Sequence, residues 1–281
     1  MDQDGNTLLC EASSRAIDVM PSPHKHKLSP ISLVVGDRLY LLDSVPGPDC
    51  SHSFEALMYS ADRCFEHKWY WHSLPPPPFG SDYDHEVVEE EEDTSCSNHY
   101  GFQAYTVVGD SQIWISTAGG GTYSFDTTNN MWSKAGRWAL PFDGPVKYAP
   151  EHGLWFGFSS QGENGQFAAS DLTAASTARP PVLKKVWDEL AQPLPERWVP
   201  MESYLHPLGA GKFCIVRIFE TPEEGWCWEK DGNMYNNVES FAVFTGAEVE
   251  RGRRGTLRMI KHKSRRYSFG QRWVQSLSSH F

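Results

Sequence analysis

The chain has 281 residues, enough for one large all-β or α/β domain or for two ordinary ones, and enough to bury a sizeable core. It carries 25 Lys and Arg against 36 Asp and Glu, and the resulting formal charge of −11 counts against a protein whose whole surface grips nucleic acid or anionic lipid. No apolar run reaches the roughly 18 residues of a membrane-spanning helix, and Met1-Asp2-Gln3-Asp4 has neither the basic nor the apolar part of a signal peptide. A soluble cytoplasmic or nuclear protein, not a secreted one, is expected.

Six cysteines, Cys10, Cys50, Cys64, Cys96, Cys214 and Cys227, form no C-x-x-C pair, so reduced thiols are expected and neither disulfides nor a structural zinc. The 13% aromatic content, with 11 Trp among 23 Gly and 19 Pro, alternates large rings with turn-formers and predicts a β-rich chain.

In chain order, residues 7–11 and 16–18 read as two strands around a polar turn, followed by a hairpin over 31–35 and 39–42 turned by Gly36-Asp37. The same hairpin recurs at 104–108 and 113–115 around Gly109-Asp110. Looser copies occur at 146–148 and 154–158 around Pro150-Glu-His-Gly153, and at 204–205 and 213–216 around Gly209-Ala-Gly211. A second unit, strand 122–126, turn 127–130 and strand 131–134, aligns without a gap on residues 7–18 at a constant offset of 115. Helical periodicity is confined to 181–191, where Val182, Val186 and Leu190 predict one short helix, or a strand carrying that pattern by chance. The stretch 80–99, with its carboxylates at 86–93, is too charged to pack and reads as a solvated insertion.

With Tyr40, Trp114, Trp155 and Cys214 as markers, the repeats are spaced by 74, 41 and 59 residues. Discounting the insertion, the spacing averages about 51, near the ~50 of kelch repeats and above the ~40–45 of WD40. Ala118-Gly-Gly-Gly121, Tyr123, Phe125, Asp126-Thr-Thr-Asn-Asn-Met-Trp132 and the exit Leu140-Pro141 resemble one kelch blade. A wider set of phrases resembles the family catalogued as domain of unknown function 1668, expanded in grasses, over roughly residues 6–267. Among them are Phe54-Glu-Ala-Leu-Met-Tyr59, Trp71-His-Ser-Leu-Pro-Pro-Pro-Pro-Phe79, Trp138-Ala-Leu-Pro-Phe142 and Leu257-Arg-Met-Ile-Lys-His-Lys-Ser264. The resemblance implies a kelch-like β-propeller and brings no assigned reaction, substrate or catalytic residue.

The expected fold is therefore all-β, a single kelch-like β-propeller of four-stranded antiparallel blades with about four and a half blades visible. The half blade is 5–20, the fuller blades are 31–79, 102–142, 144–190 and 203–266, and 267–281 is a closing strand or a tail. Either the ends join in a composite blade, giving a five-bladed closed ring and a monomer, or the ring is an N-terminally truncated six-bladed one. Gly36 and Gly109 are expected to turn hairpins, Gly119 and Gly120 to release a strand from a crowded centre, and Trp114, Trp132, Trp138 and Trp155 to fill the space between blades.

Catalytic motifs fail on inspection. Gly209-Ala-Gly-Lys-Phe213 lacks the first glycine and final hydroxyl of a phosphate loop, and Gly157-Phe-Ser-Ser-Gln-Gly162 has one residue too many for a nucleophile elbow. His24-Lys-His26 and the other histidines show no paired ligand spacing, so no metal, no cofactor and no enzymatic activity is expected. Candidate interaction residues are Trp226 and Trp228 in a polar loop, and Arg253, Arg254, Lys261, Lys263, Arg265 and Arg266 near the C-terminus. Residues 251–281 hold nine Lys and Arg and no acid. This segment reads as a nuclear-import tract, a phosphate-contacting patch, or an edge strand with one basic face. The expected function is a non-catalytic protein-interaction module with an unknown protein partner, nucleic acid and membrane not being expected. An enzyme or sugar-binding propeller using a central channel, and a nucleic-acid-associated protein using the basic segment, are the alternatives.

Overall fold

The computed structural model describes residues 7–11, 13–27, 30–43, 51–60, 68–78, 102–117, 119–161, 165–190, 195, 198–228 and 234–275. The acidic insertion at 80–99 and the residues after 275 lie outside them. The described chain is all-β, built of antiparallel strands with only short 3-10 turns besides. It divides into two compact units, Met1–Leu140 with Leu172–Pro181, and Pro141–Asp171 with Val182–Phe281.

The first unit opens on a two-stranded hairpin, β1 (Thr7–Glu11) and β2 (Ala16–Met20). Two four-stranded meanders follow: β3 (Ile31–Val35), β4 (Arg38–Leu42), β5 (Phe54–Ser60) and β6 (Lys68–Ser73), then β7 (Phe102–Val108), β8 (Gln112–Thr117), β9 (Gly121–Asp126) and β10 (Met131–Gly136). The alternation of buried Ile31, Leu33 and Val35 with exposed Ser32 and Val34 gives β3 one core face, as period-2 patterning requires. That face joins Tyr40, Phe54, Ile113, Ile115 and Phe125 in one cluster that ties the two meanders together. Phe54 and Phe125 meet edge to face with ring centroids 4.8 Å apart.

The second unit contains β11 (Phe142–Ala149), β12 (Leu154–Ser159), β13 (Phe167–Ser170) and β14 (Leu183–Trp187), then β15 (Val199–Gly209), β16 (Lys212–Trp228), β17 (Met234–Arg251) and β18 (Leu257–Gln275). Each set pairs in sequence order. Every residue of β12 is buried, and Phe156 and Phe167 pack on Phe213 of β16 at 4.9 and 5.5 Å.

Each four-stranded set opens on one of the predicted glycine-turned hairpins. Gly36 and Gly109 have φ of 60° and 63°, the left-handed region that a residue with Cβ enters only under strain. At the exit before β9, Gly119 has φ 79° and Gly121 is the crowded position, since a Cβ there would lie 2.5 Å from the Gly136 carbonyl oxygen. Gly120 has no positive φ.

Two expectations change, and one open alternative is decided. Of the two readings of 181–191 the strand holds: it is β14, closed by the 3-10 turn Asp188–Leu190, because β13 offers it a ladder from Phe167–Trp187 to Ser170–Leu183. Val182, at the head of the supposed apolar stripe, is 70% exposed. The interior is filled by Phe54, Phe125, Phe142, Phe156, Phe167, Phe213 and Phe241, whereas of the four tryptophans singled out only Trp155 is buried and Trp114, Trp132 and Trp138 are half-buried. An indole N–H seeks an acceptor, and two of the half-buried rings have one: Trp132 Nε1 donates to the Pro75 carbonyl at 2.9 Å and Trp138 Nε1 to that of Ser176 at 2.8 Å, whereas the buried Trp187 Nε1 has no partner among the described residues. Finally, residues 267–275 are no separate segment but continue β18.

Candidate interaction surface on β18

Strands β16, β17 and β18 are 17, 18 and 19 residues long, and β18 is the edge of its sheet. Its first part is anchored: Met259 is buried in the core cluster and Leu257 packs against it. From Lys261 to Phe269 every side chain is exposed. Register shifts between Thr245 and Ala247, and between Glu239 and Phe241, mark irregularities on either side of a regular stretch in which Thr245 pairs with Ser264 and Phe241 with Ser268.

Period-2 alternation sorts the cations of this stretch onto opposite faces. On one face Trp198, Phe219 and Phe241 stack within 4.7–5.6 Å of one another. Arg266 lies over Phe241 with its guanidinium carbon 3.7 Å from the ring centroid, and it donates to Glu239 at 2.8 Å. It thus fastens β18 to β17 through a cation–π contact and an ion pair. Lys261 lines a cleft of about 350 Å³ with Trp198 and Arg217, whose guanidinium donates to the carbonyls of Leu190 and Gly165 at 3.2 and 3.0 Å.

On the other face Lys263, Arg265, Tyr267 and Phe269 line a groove of about 510 Å³ together with Phe244 of β17 and Cys214 of β16. Phe244 and Tyr267 meet edge to face at 5.2 Å and remain 38% and 50% exposed, with Phe269 63% exposed. Among the described residues no carboxylate pairs with Lys263 or Arg265. Two cations without a described carboxylate partner beside three exposed rings form a surface that accepts anionic and apolar groups together.

The structure thus brings Lys263 and Arg265 together and separates them from Lys261 and Arg266. Arg253 is exposed on the 3-10 turn Arg253–Gly255, outside the groove, and the Arg254 side chain lies outside the described residues. Trp226 and Trp228 belong to β16, in register with Asn236 and Met234, and their side chains are likewise outside the described residues. Phe244, Tyr267 and Phe269 were not singled out from sequence. The signal was present in the alternation Lys263-x-Arg265-x-Tyr267-x-Phe269, which a half-exposed strand converts into one row.

A second group of polar side chains lies in the first unit. Glu55 of β5 is buried between strands, and His24, Lys27 and His52 gather around it.

The chain matches the family model described as "Protein of unknown function (DUF1668)" over residues 1–267, and the protein belongs to that family. A search of the curated proteins finds no match. Among the described residues no helix is long and apolar enough to cross a membrane.

Proposed function

We propose that the protein is a non-catalytic interaction module of the kelch-like propeller type, and that the groove along β18 receives an acidic, extended polypeptide segment carrying apolar side chains. Support for the propeller reading comes from the sequential antiparallel pairing of β3–β6, β7–β10, β11–β14 and β15–β18, each run opening on a glycine-turned hairpin. The observation that carries the functional reading is the row Lys263, Arg265, Tyr267 and Phe269, exposed on an edge strand of a chain whose overall charge is −11. Local positive charge on an acidic protein favours an acidic partner segment, while the rings supply the apolar contact that charge alone lacks. Two copies of this strand would meet cation to cation, so the same charges oppose edge-to-edge self-association.

The test is fluorescence anisotropy with a labelled peptide of about 12 residues alternating Glu and Phe, against the full chain and the double variant Lys263→Glu/Arg265→Glu. Binding by the parent and at least about a tenfold loss in the variant, with an unchanged thermal transition, is expected. Equal binding by the two proteins removes the groove from consideration.

A further inference from the structure

Glu55 is the second residue of β5 and is paired on both sides, in register with Leu41 on one and Ser73 on the other, and its side chain has no solvent exposure. A carboxylate so placed is sustained only by partners. Oε1 accepts from the His24 main-chain N–H at 3.1 Å and faces His24 Nδ1 at 2.5 Å. Oε2 is held by Lys27, itself without solvent exposure, whose ammonium also donates to the Lys25 carbonyl at 3.2 Å. The imidazole of His52, on the turn leading into β5, stacks on that of His24 with centroids 4.9 Å apart, and its Nδ1 lies 2.5 Å from Ser73 Oγ.

This network has more nitrogen donors than a structural ion pair needs. Lys27 already neutralises the carboxylate, yet two imidazoles converge on it from loops 28 residues apart, and one is fixed by a hydroxyl of the neighbouring strand. One ligand-capable atom each from His24, His52 and Glu55 lies within 4.8 Å of the others. We propose that these three residues form a binding site for a divalent transition-metal ion of the zinc type. Two imidazoles and one carboxylate are the donor set that suits zinc, copper or nickel better than calcium or magnesium, which prefer oxygen alone. Lys27 and Ser73 supply the second layer of hydrogen bonds that orients a ligating carboxylate and a ligating imidazole.

Ligands about 2.1 Å from a tetrahedral ion stand roughly 3.4 Å apart, so binding draws the rings inward. Both have room to move, since the His24 side chain is 48% exposed and His52 is exposed on its turn. That exposure also gives the ion a path from solvent, and three protein ligands leave its remaining position open.

The experiment is isothermal titration of the full chain with zinc chloride, repeated on His24→Ala, His52→Ala and, as a control at another histidine–carboxylate pair, His262→Ala. Cobalt(II) substitution provides an independent readout through its visible absorption. One zinc per chain, at least about tenfold weaker in each of the first two variants and unchanged in the third, is expected. The cobalt spectrum of a low-coordinate nitrogen–oxygen site should appear in the parent and be lost in His52→Ala. No saturable zinc binding, or binding indifferent to His24 and His52, as when cysteine thiols take the ion, overturns the proposal.

Discussion

Arg15 and Asn130 hold the same left-handed backbone conformation, φ 56° and 57°, at matching positions of two hairpins 115 residues apart. The match extends through the turns: Glu11 pairs with Ala16 as Asp126 pairs with Met131. In both, a side-chain oxygen closes the turn, Ser14 Oγ accepting from the Ala16 N–H at 3.2 Å and Asn129 Oδ1 from the Met131 N–H at 3.0 Å. Asp126 completes the second turn by accepting from the Thr128 hydroxyl and N–H, and these bonds hold its carboxyl below the usual range.

Asparagine tolerates this conformation and arginine does so at a cost. Arg15→Gly should therefore stabilise the first hairpin by about 0.5–1 kcal/mol, whereas Asn130→Ala should destabilise the second by about 1 kcal/mol. Hydrogen exchange of the amides in β1–β2 and β9–β10 measures each locally, and opposite signs are the expected outcome.

Glu55 and Lys27 make stability depend on pH. Burial by itself raises the Glu55 pKa, but hydrogen bonds from Lys27 and His24 and the Lys27 charge outweigh it and hold the carboxyl below its ordinary 4.5. Because the folded value is the lower one, the contribution is fully present above the unfolded pKa and is lost as pH falls through the folded one. Urea midpoints should hold level from neutrality to about pH 5 on this account and fall below about 4.5. Lys27→Met leaves a buried carboxylate without its cation, and it should cost about 3–5 kcal/mol at pH 7 and start the acid loss at higher pH.

Two hairpin glycines separate strain from crowding. Gly109 has φ 63° with open space where a methyl would stand, so Gly109→Ala should cost about 1 kcal/mol. Gly211 has φ 71°, a Cβ there would stand 2.5 Å from the Val249 carbonyl oxygen, and its own carbonyl accepts from the Val249 N–H at 2.8 Å. Gly211→Ala should cost clearly more, about 2–4 kcal/mol, because backbone must move as well. Denaturant unfolding of both variants gives the comparison.

The repeat was legible because it is local: a glycine turn between two short apolar runs needs no distant partner to be recognised. The edge-strand character of β18, with packed Leu257 and Met259, is legible in the same way, but the expected single basic face is not found, since the bulge and the alternation divide its cations between two faces. What lay hidden depends on contacts across the fold. Phe54-Glu55-Ala56 gives no sign that its carboxylate is buried, since Lys27 and His24 reach it from 28 and 31 residues away. The pattern of Val182, Val186 and Leu190 fits a helix, and only the ladder offered by β13 makes it a strand. Tryptophan content suggests indole-filled interiors, but the largest fully buried rings are phenylalanines, and of the four tryptophans singled out only Trp155 is buried, because burial of an indole N–H needs an acceptor that the strand interior does not always offer.

The class of partner is tested by titrating the protein with three labelled ligands of equal length, an acidic Glu–Phe peptide, a basic Lys–Phe peptide and single-stranded DNA, at low and at physiological salt. Saturable binding of the acidic peptide that weakens with salt but persists through its aromatic contacts, and at least about tenfold weaker binding of the other two, is expected. DNA binding as tight as that of the acidic peptide, with a steep salt dependence, would rule out an acidic polypeptide as the preferred partner and mark the β18 cations as a phosphate-contacting surface.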